Sequence, residues 1–226
     1  MPRLLLALVA VLVVATAAAP RAAKPDPLKA GLLLYAAPGL PDPNFAKTVV
    51  LLLDHSNSGS IGVVINRPTG HGLEAALDLK PGALGVDVPL YQGGPVQPKV
   101  LLALLRTVRP DSQARSVVRD VYLTQDLDEI RDVLAGRNPS QRLRAFSGYA
   151  GWDRGQLAAE MRTGSWVIDT ADAARVFSPE PSRLWDKVHE ILARVQANLR
   201  FGPRPPEGLL SGNATSVNAC PPIGVV

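Results

Sequence analysis

The stretch Thr48-Val-Val-Leu-Leu-Leu-Asp54-His55-Ser-Asn-Ser-Gly59-Ser60-Ile-Gly-Val-Val-Ile-Asn66 decides how this chain folds. Thr48 to Leu53 is a run of β-branched and leucine side chains, which reads as a strand. Asp54 to Gly59 then supplies turn formers, because Asp, Ser and Asn bond to nearby backbone and Gly accepts unusual φ. Ser60 to Asn66 resumes an apolar run through Ile61, Val63, Val64 and Ile65. Two such runs joined by a short Asn- and Gly-containing loop predict a β-hairpin.

Upstream, Gly31 to Ala37 reads as a buried strand closed by Pro38-Gly39, and Pro41-Asp42-Pro43-Asn44 as a turn made rigid by two prolines. Downstream, Leu73 to Leu77 reads as a helical turn. Val88 to Tyr91 and Val100 to Leu105 read as strands flanking a tight corner at Gly93-Gly94-Pro95. Val117 to Thr124 is expected to be one further strand. Asp126, with Glu129 three residues on, predicts a capped helix through Ala135 that stops at Gly136. Arg142 to Tyr149 reads as a strand, and Asp153 with Gln156 repeats the cap signature for a helix ending at Gly164. Trp166 to Ile168 is short and β-prone. From about Arg183 to Leu199 the residues Leu184, Val188, Ile191, Leu192, Val195 and Leu199 recur at helical spacing. Hairpins come early and helices late, so the expected class is α+β in a single domain, residues 28–200.

The ends differ from this domain. Residues 1–19 carry Arg3, an apolar run from Leu4 to Val14 and small residues at Ala15 to Ala19, the layout of a secretory signal peptide. That run is shorter than a comfortable bilayer span, so the leader implies export to the periplasm, with membrane contact only in transit. A misassigned start codon would instead leave the domain in the cytoplasm. Residues 20–27 read as a linker, and the Pro-, Gly-, Ser- and Asn-rich 201–226 as a disordered tail.

The formal charge is +4, with 24 basic and 20 acidic side chains and no basic run, so the arginines read as a solvated surface and no specific nucleic-acid binding is expected. The lone Cys220 cannot form an intramolecular disulfide. No P-loop, dinucleotide fingerprint or nucleophile elbow is present, and His55, His71 and His189 lack a second ligand at metal spacing. Neither a cofactor nor a metal is expected. Trp152, Trp166 and Trp185 are too irregularly spaced to predict a stacking platform.

Gly31-Leu-Leu-Leu-Tyr-Ala-Ala-Pro38, Asp42 and Phe45, Asp54-His55, Gly62-Val-Val-Ile-Asn66-Arg67-Pro68, Gly93-Gly94-Pro95-Val96 and Gly148-Tyr-Ala-Gly-Trp152-Asp-Arg-Gly-Gln156-Leu157 with Trp166 together resemble the YqgE/AlgH family. The resemblance covers about Leu28 to Ala197 and implies a bulged, mostly antiparallel sheet with flanking helices. Members of that family carry the label of transcriptional regulator, without an established reaction or cofactor. Asp54 stands where the family usually has Glu, and Leu104-Leu105-Arg106 where Leu-His is common.

Three readings of function follow. The first is a binding protein, regulatory by an indirect route, that takes a protein or small-molecule partner at a corner built from Asn66-Arg67-Pro68, Gly93-Gly94-Pro95 and Gly151-Trp152-Asp153. The second is an enzyme whose site assembles from Asp42, His55, Asn66 and Gln156 across strands. The third is a direct DNA-binding regulator. The candidate binding residues are therefore Asp42, His55, Asn66, Arg67, Gly93, Gly94, Gly151, Trp152 and Gln156. Trp152 is expected to be locked by packing and Asp153 to cap the following helix, while Asn66 and Gln156 are not required by the strand or helix around them and are candidates for a ligand, with Gln156 alternatively completing the capping box.

Overall fold

Long apolar runs in the first half of the chain become central strands, because both of their faces are covered. The computed structural model describes residues 28–109, 114–136 and 142–201; the leader, the linker, Cys220 and the tail beyond 201 lie outside the described residues. Strands β1 (Leu32–Ala36), β2 (Val49–Ser56) and β3 (Gly59–Val64) run antiparallel in sequence order, with Leu34 opposite Val50 and Leu51 opposite Val63. Leu33, Tyr35, Leu51 and Leu53 enter one apolar cluster, while Leu34, Val50, Leu52 and Val64 enter a second on the other face. Burial of both faces removes the polar alternation that a half-exposed strand would show.

The remaining strands are β4 (Pro68–Gly72), β5 (Pro89–Gln92), β6 (Val96–Arg106), β7 (Arg115–Val118), β8 (Val121–Thr124), β9 (Leu143–Asp153) and β10 (Trp166–Thr170). Their order along the sheet is β10-β1-β2-β3-β9-β6-β8-β7, antiparallel throughout that path. On the β3 side of β9, residues 150–153 pair with β3, whereas Ala145 to Ser147 pair in parallel with β5, which brings β4 along. Gly93 sits where β3 and β5 part: its N–H donates to Ser147 O at 2.9 Å and its carbonyl accepts from Val64 N at 2.8 Å.

Helices α1 (Leu127–Leu134), α2 (Gln156–Arg162), α3 (Ala173–Val176) and α4 (Leu184–Phe201), with short 3₁₀ turns at Leu73–Leu77 and Pro181–Arg183, complete an α+β domain. Asp126 caps α1 as expected, accepting from the Asp128 and Glu129 N–H groups. Trp185 ties α4 to the end of β1 by donating from Nε1 to Ala36 O at 2.7 Å. Arg144 is buried on β9 between the rings of Tyr91 and Phe177, and donates to Ser178 O. Burial pushes its pKa down and that of Tyr91 up.

The structure corrects several local expectations. The hairpin turn shrinks to Asn57-Ser58, because the ladder continues through Asp54↔Ile61, His55↔Ser60 and Ser56↔Gly59 after a bulge at Leu53. The expected single strand at Val117 to Thr124 is two strands that turn at Arg119-Asp120, where Asp120 takes φ 62°. Asp tolerates that left-handed conformation, and apolar β-branched neighbours on both sides hide the break. β9 continues through the glycines to Asp153 instead of turning into the helix, with Gly148 at φ 70° where the pairing with β6 shifts register. Asp153 does not cap α2: the cap position is Gly155 at φ 72°, with no side-chain cap bond.

Candidate functional site

The tip of the β2–β3 hairpin and the end of β9 enclose an open cleft of about 360 Å³, lined chiefly by Ser58, Ser60, Ile61, Tyr149, Gly151 and Asp153. Cross-strand pairing builds it. His55 and Ser60 are opposite one another, and His55 Nδ1 lies 2.7 Å from Ser60 Oγ. Ser56 and Ser58 join their hydroxyls across the turn at 2.7 Å. Asp54 accepts from Arg115 at 2.6 Å, and Arg115 also donates to Leu53 O at 3.2 Å.

Ile61 is 42% exposed and lies directly opposite Gly151. Most glycines near β9 are there because a side chain would collide. A Cβ on Gly93 would come within 2.2 Å of Gly148 O, and one on Gly94 within 2.2 Å of the Tyr149 carbonyl carbon. Gly151 differs. A Cβ there would meet Val96 Cγ2 at 3.5 Å and the Tyr149 ring at 3.6 Å, which are ordinary contacts, and its φ is not in the left-handed region. Glycine in a strand interior costs about 0.5–1 kcal/mol relative to alanine. The fold therefore carries a bare backbone at 151 that its own packing does not require.

Trp152 points to the other side of β9, away from the cleft floor. Its ring stacks on Phe45 at 5.8 Å and meets Trp166 edge-on at 6.0 Å; Phe45 and Trp166 meet at 5.7 Å. Both indole N–H groups donate to Glu160 Oε2, at 3.0 Å from Trp152 and 2.8 Å from Trp166. Gln156 braces this carboxylate, donating to Glu160 Oε1 while accepting from Asp153 N, each at 3.0 Å. Trp152 and Trp166 thus gather despite their irregular spacing, but both are buried and offer no open stacking face.

The other candidates form a clasp. Asn66 Oδ1 accepts from Val49 N at 2.8 Å and Nδ2 donates to Lys47 O at 2.9 Å. Arg67 donates to Asn44 O at 2.6 Å and to Ala46 O at 2.8 Å, and Asp42 accepts from Asn44 N. Burial lowers the Arg67 pKa, and the nearby Asp42 opposes that. These bonds stitch the 42–47 loop onto the strand end. Both the Asn66 and Gln156 amides are spent on neighbouring backbone or on Glu160, and Gln156 makes the bond to Asp153 N that a capping box would use.

The nine candidates therefore divide. Gly151 floors the cleft, His55 reaches it only through its contact with Ser60, and Trp152 turns its ring to the opposite face of β9; Asp42, Asn66 and Arg67 make the loop clasp, Gly93 and Gly94 fill the fork beside β9, and Gln156 braces Glu160. Sequence reasoning missed Ser60, Ile61 and Tyr149, although an apolar residue in a serine-rich hairpin tip was a usable signal for Ile61. Among the described residues no group of three or more His, Cys, Asp or Glu is placed to hold a metal ion, and no helix is long and apolar enough to cross a membrane.

Fold and site define an α+β domain built on one branched, mostly antiparallel sheet, with a shallow polar cleft where a hairpin meets the central strand β9. Residues 33–196 match the AlgH-like family model, and the chain belongs to that family. A UPF0301 protein of Myxococcus xanthus is 43% identical over 160 residues, 68% of this chain and 85% of the relative. One from Streptomyces coelicolor is 40% identical over 178 residues, 75% and 88% respectively. The solution structure of AlgH from Pseudomonas aeruginosa is similar with a TM-score of 0.59 at 30% identity, covering 77% of this chain and 94% of that one. A crystal structure from Corynebacterium diphtheriae shares the fold with a TM-score of 0.59 at 24% identity, covering 72% and 86%.

Proposed function

We propose that this AlgH-like protein is a non-catalytic binding protein that takes a protein partner in the cleft over Gly151, and that any effect on transcription is indirect. The observation that carries this reading is the glycine itself, a side-chain-free floor opposite the exposed Ile61 that internal packing does not demand. A partner's backbone or loop tip can approach such a floor closely, and Ile61 and Tyr149 offer apolar contact at its rim.

Direct DNA reading is disfavoured by how the arginines are used. Arg67 and Arg144 are committed to carbonyls, while Arg115 and Arg175 pair with Asp54 and the Asp169–Asp172 pair. An enzyme built on Asp42, His55, Asn66 and Gln156 is disfavoured because three of the four, Asp42, Asn66 and Gln156, are spent on the loop clasp or on Glu160. The periplasmic location implied by the leader is part of the proposal.

The test uses the chain tagged at its C-terminus in its own host. The protein is expected in the osmotic-shock fraction, with an intact mass beginning at Ala18 or Pro20. Gly151→Ala should raise stability by about 0.5–1 kcal/mol. Gly151→Val and Ile61→Asp should lose a protein that the wild type captures and should keep their melting temperature within a few degrees. Capture unchanged in both variants would sink the cleft. Nucleic acid recovered specifically at about 200 mM salt would favour the DNA reading instead.

A further inference from the structure

A second space, sharing no lining residue with the cleft, lies between β6, β9, α1 and the segment that starts at Leu73. It is a cavity of about 310 Å³, at the lower end of the roughly 300–1,000 Å³ that small-molecule sites occupy. Its origin is legible in the sheet register. Ala103 on β6 and Ala145 on β9 are direct partners, and both are buried and line the space. Two methyl side chains face each other where the surrounding positions carry Leu101 and Leu143, so the sheet floor drops away. Leu73, Leu84, Ile130 and Leu134 supply the walls. Leu77 and Leu79, which are 36% and 43% exposed, stand at the rim.

Water is a poor occupant, because the aliphatic lining offers few of the hydrogen-bond partners an enclosed water needs. Among the described lining residues Arg131 is the one charged side chain. It is largely exposed and pairs with Asp128 one helical turn earlier. Exposed pairs of that kind hold weakly, so Arg131 is available to an incoming anion. An aliphatic wall with a single cation at its edge is complementary to one chemistry.

We propose that this cavity binds a medium-length aliphatic chain carrying a carboxylate, with the chain against Ala103, Ala145, Ile130 and Leu143 and the head group on Arg131. The site is separate from the partner cleft, so either can fail without the other.

Calorimetric titration of the full chain with decanoate, decanol and decylammonium, each below its micelle concentration, tests this. Decanoate should bind saturably at one per chain, decanol more weakly, and decylammonium not measurably. Ala103→Leu and Ala145→Leu fill the floor and should weaken decanoate by about tenfold or more while keeping the cooperative melt. Arg131→Gln should bring decanoate down to the level of decanol. Carbon-13 decanoate bound to the wild type should show magnetisation transfer to the Ile130 and Leu143 methyls, a readout that stands even where a filled variant does not fold. No saturable binding, unweakened binding in the filled variants, an unchanged decanoate preference in Arg131→Gln, or transfer only to methyls elsewhere would each overturn the proposal.

Discussion

Replacing Gly94 with alanine is expected to leave no cooperatively folded protein. The Cβ would lie 2.2 Å from the carbonyl carbon of Tyr149, 2.3 Å from its oxygen and 2.4 Å from the nitrogen of Ala150. All three are backbone atoms of β9, which is held by β3 on one side and β6 on the other, so the strand cannot step back. Gly94 also has φ +155°, a conformation L side chains rarely adopt. A clash with doubly paired backbone belongs with the exceptional substitutions that cost more than about 4–5 kcal/mol, and total stability is about 5–15 kcal/mol. Gly155→Ala is the control: φ +72° strains alanine, but nothing lies within 4 Å, so the cost should be about 1–2 kcal/mol. Urea melts followed by circular dichroism distinguish the two. A Gly94→Ala protein melting close to wild type would show that the Gly93-Gly94 fork is not packed on β9 as described.

Trp152→Ala is expected to cost about 3–5 kcal/mol, as truncation of a buried aromatic does. The indole is 5% exposed, packs on Phe45 and Trp166, and gives Glu160 one of its two indole donors. Because Trp152 and Trp166 touch and share that carboxylate, the double alanine variant should cost measurably less or more than the sum of the two single changes. Asp153→Ala next door should fall within about 0.5 kcal/mol of wild type, because Gly155 takes the cap position of α2. A cost near 1 kcal/mol, typical of a lost N-cap, would count against that geometry. Chemical denaturation of the four proteins decides both points.

The neighbouring positions 151, 152 and 153 show how far one dense stretch of sequence can be read. The glycines and Trp152 mark the segment as unusual, and burial of Trp152 follows from its size and setting. Which glycine serves packing and which leaves a surface bare does not follow, because that depends on strands distant in the chain. Gly94 is forced by Tyr149, whereas Gly151 faces Ile61 with room to spare. Asn66 and Gln156 teach the same lesson in reverse. Each is a polar residue without an evident local duty, and each finds a duty only when the 42–47 loop or Glu160 folds against it.

The sequence by itself determined the class of the fold, the hairpin at its centre, the family and the amphipathic last helix. Those features rest on local periodicity, turn chemistry and short motifs, all written within a few residues of one another. Only the tertiary structure decided the split of the 117–124 stretch, the fork at Gly93, the gathering of Phe45, Trp152 and Trp166 on Glu160, and the cavity over Ala103 and Ala145. Each of these depends on which side chains meet across strands far apart in the chain. Register and packing settle such meetings, and no spacing along a single chain records them.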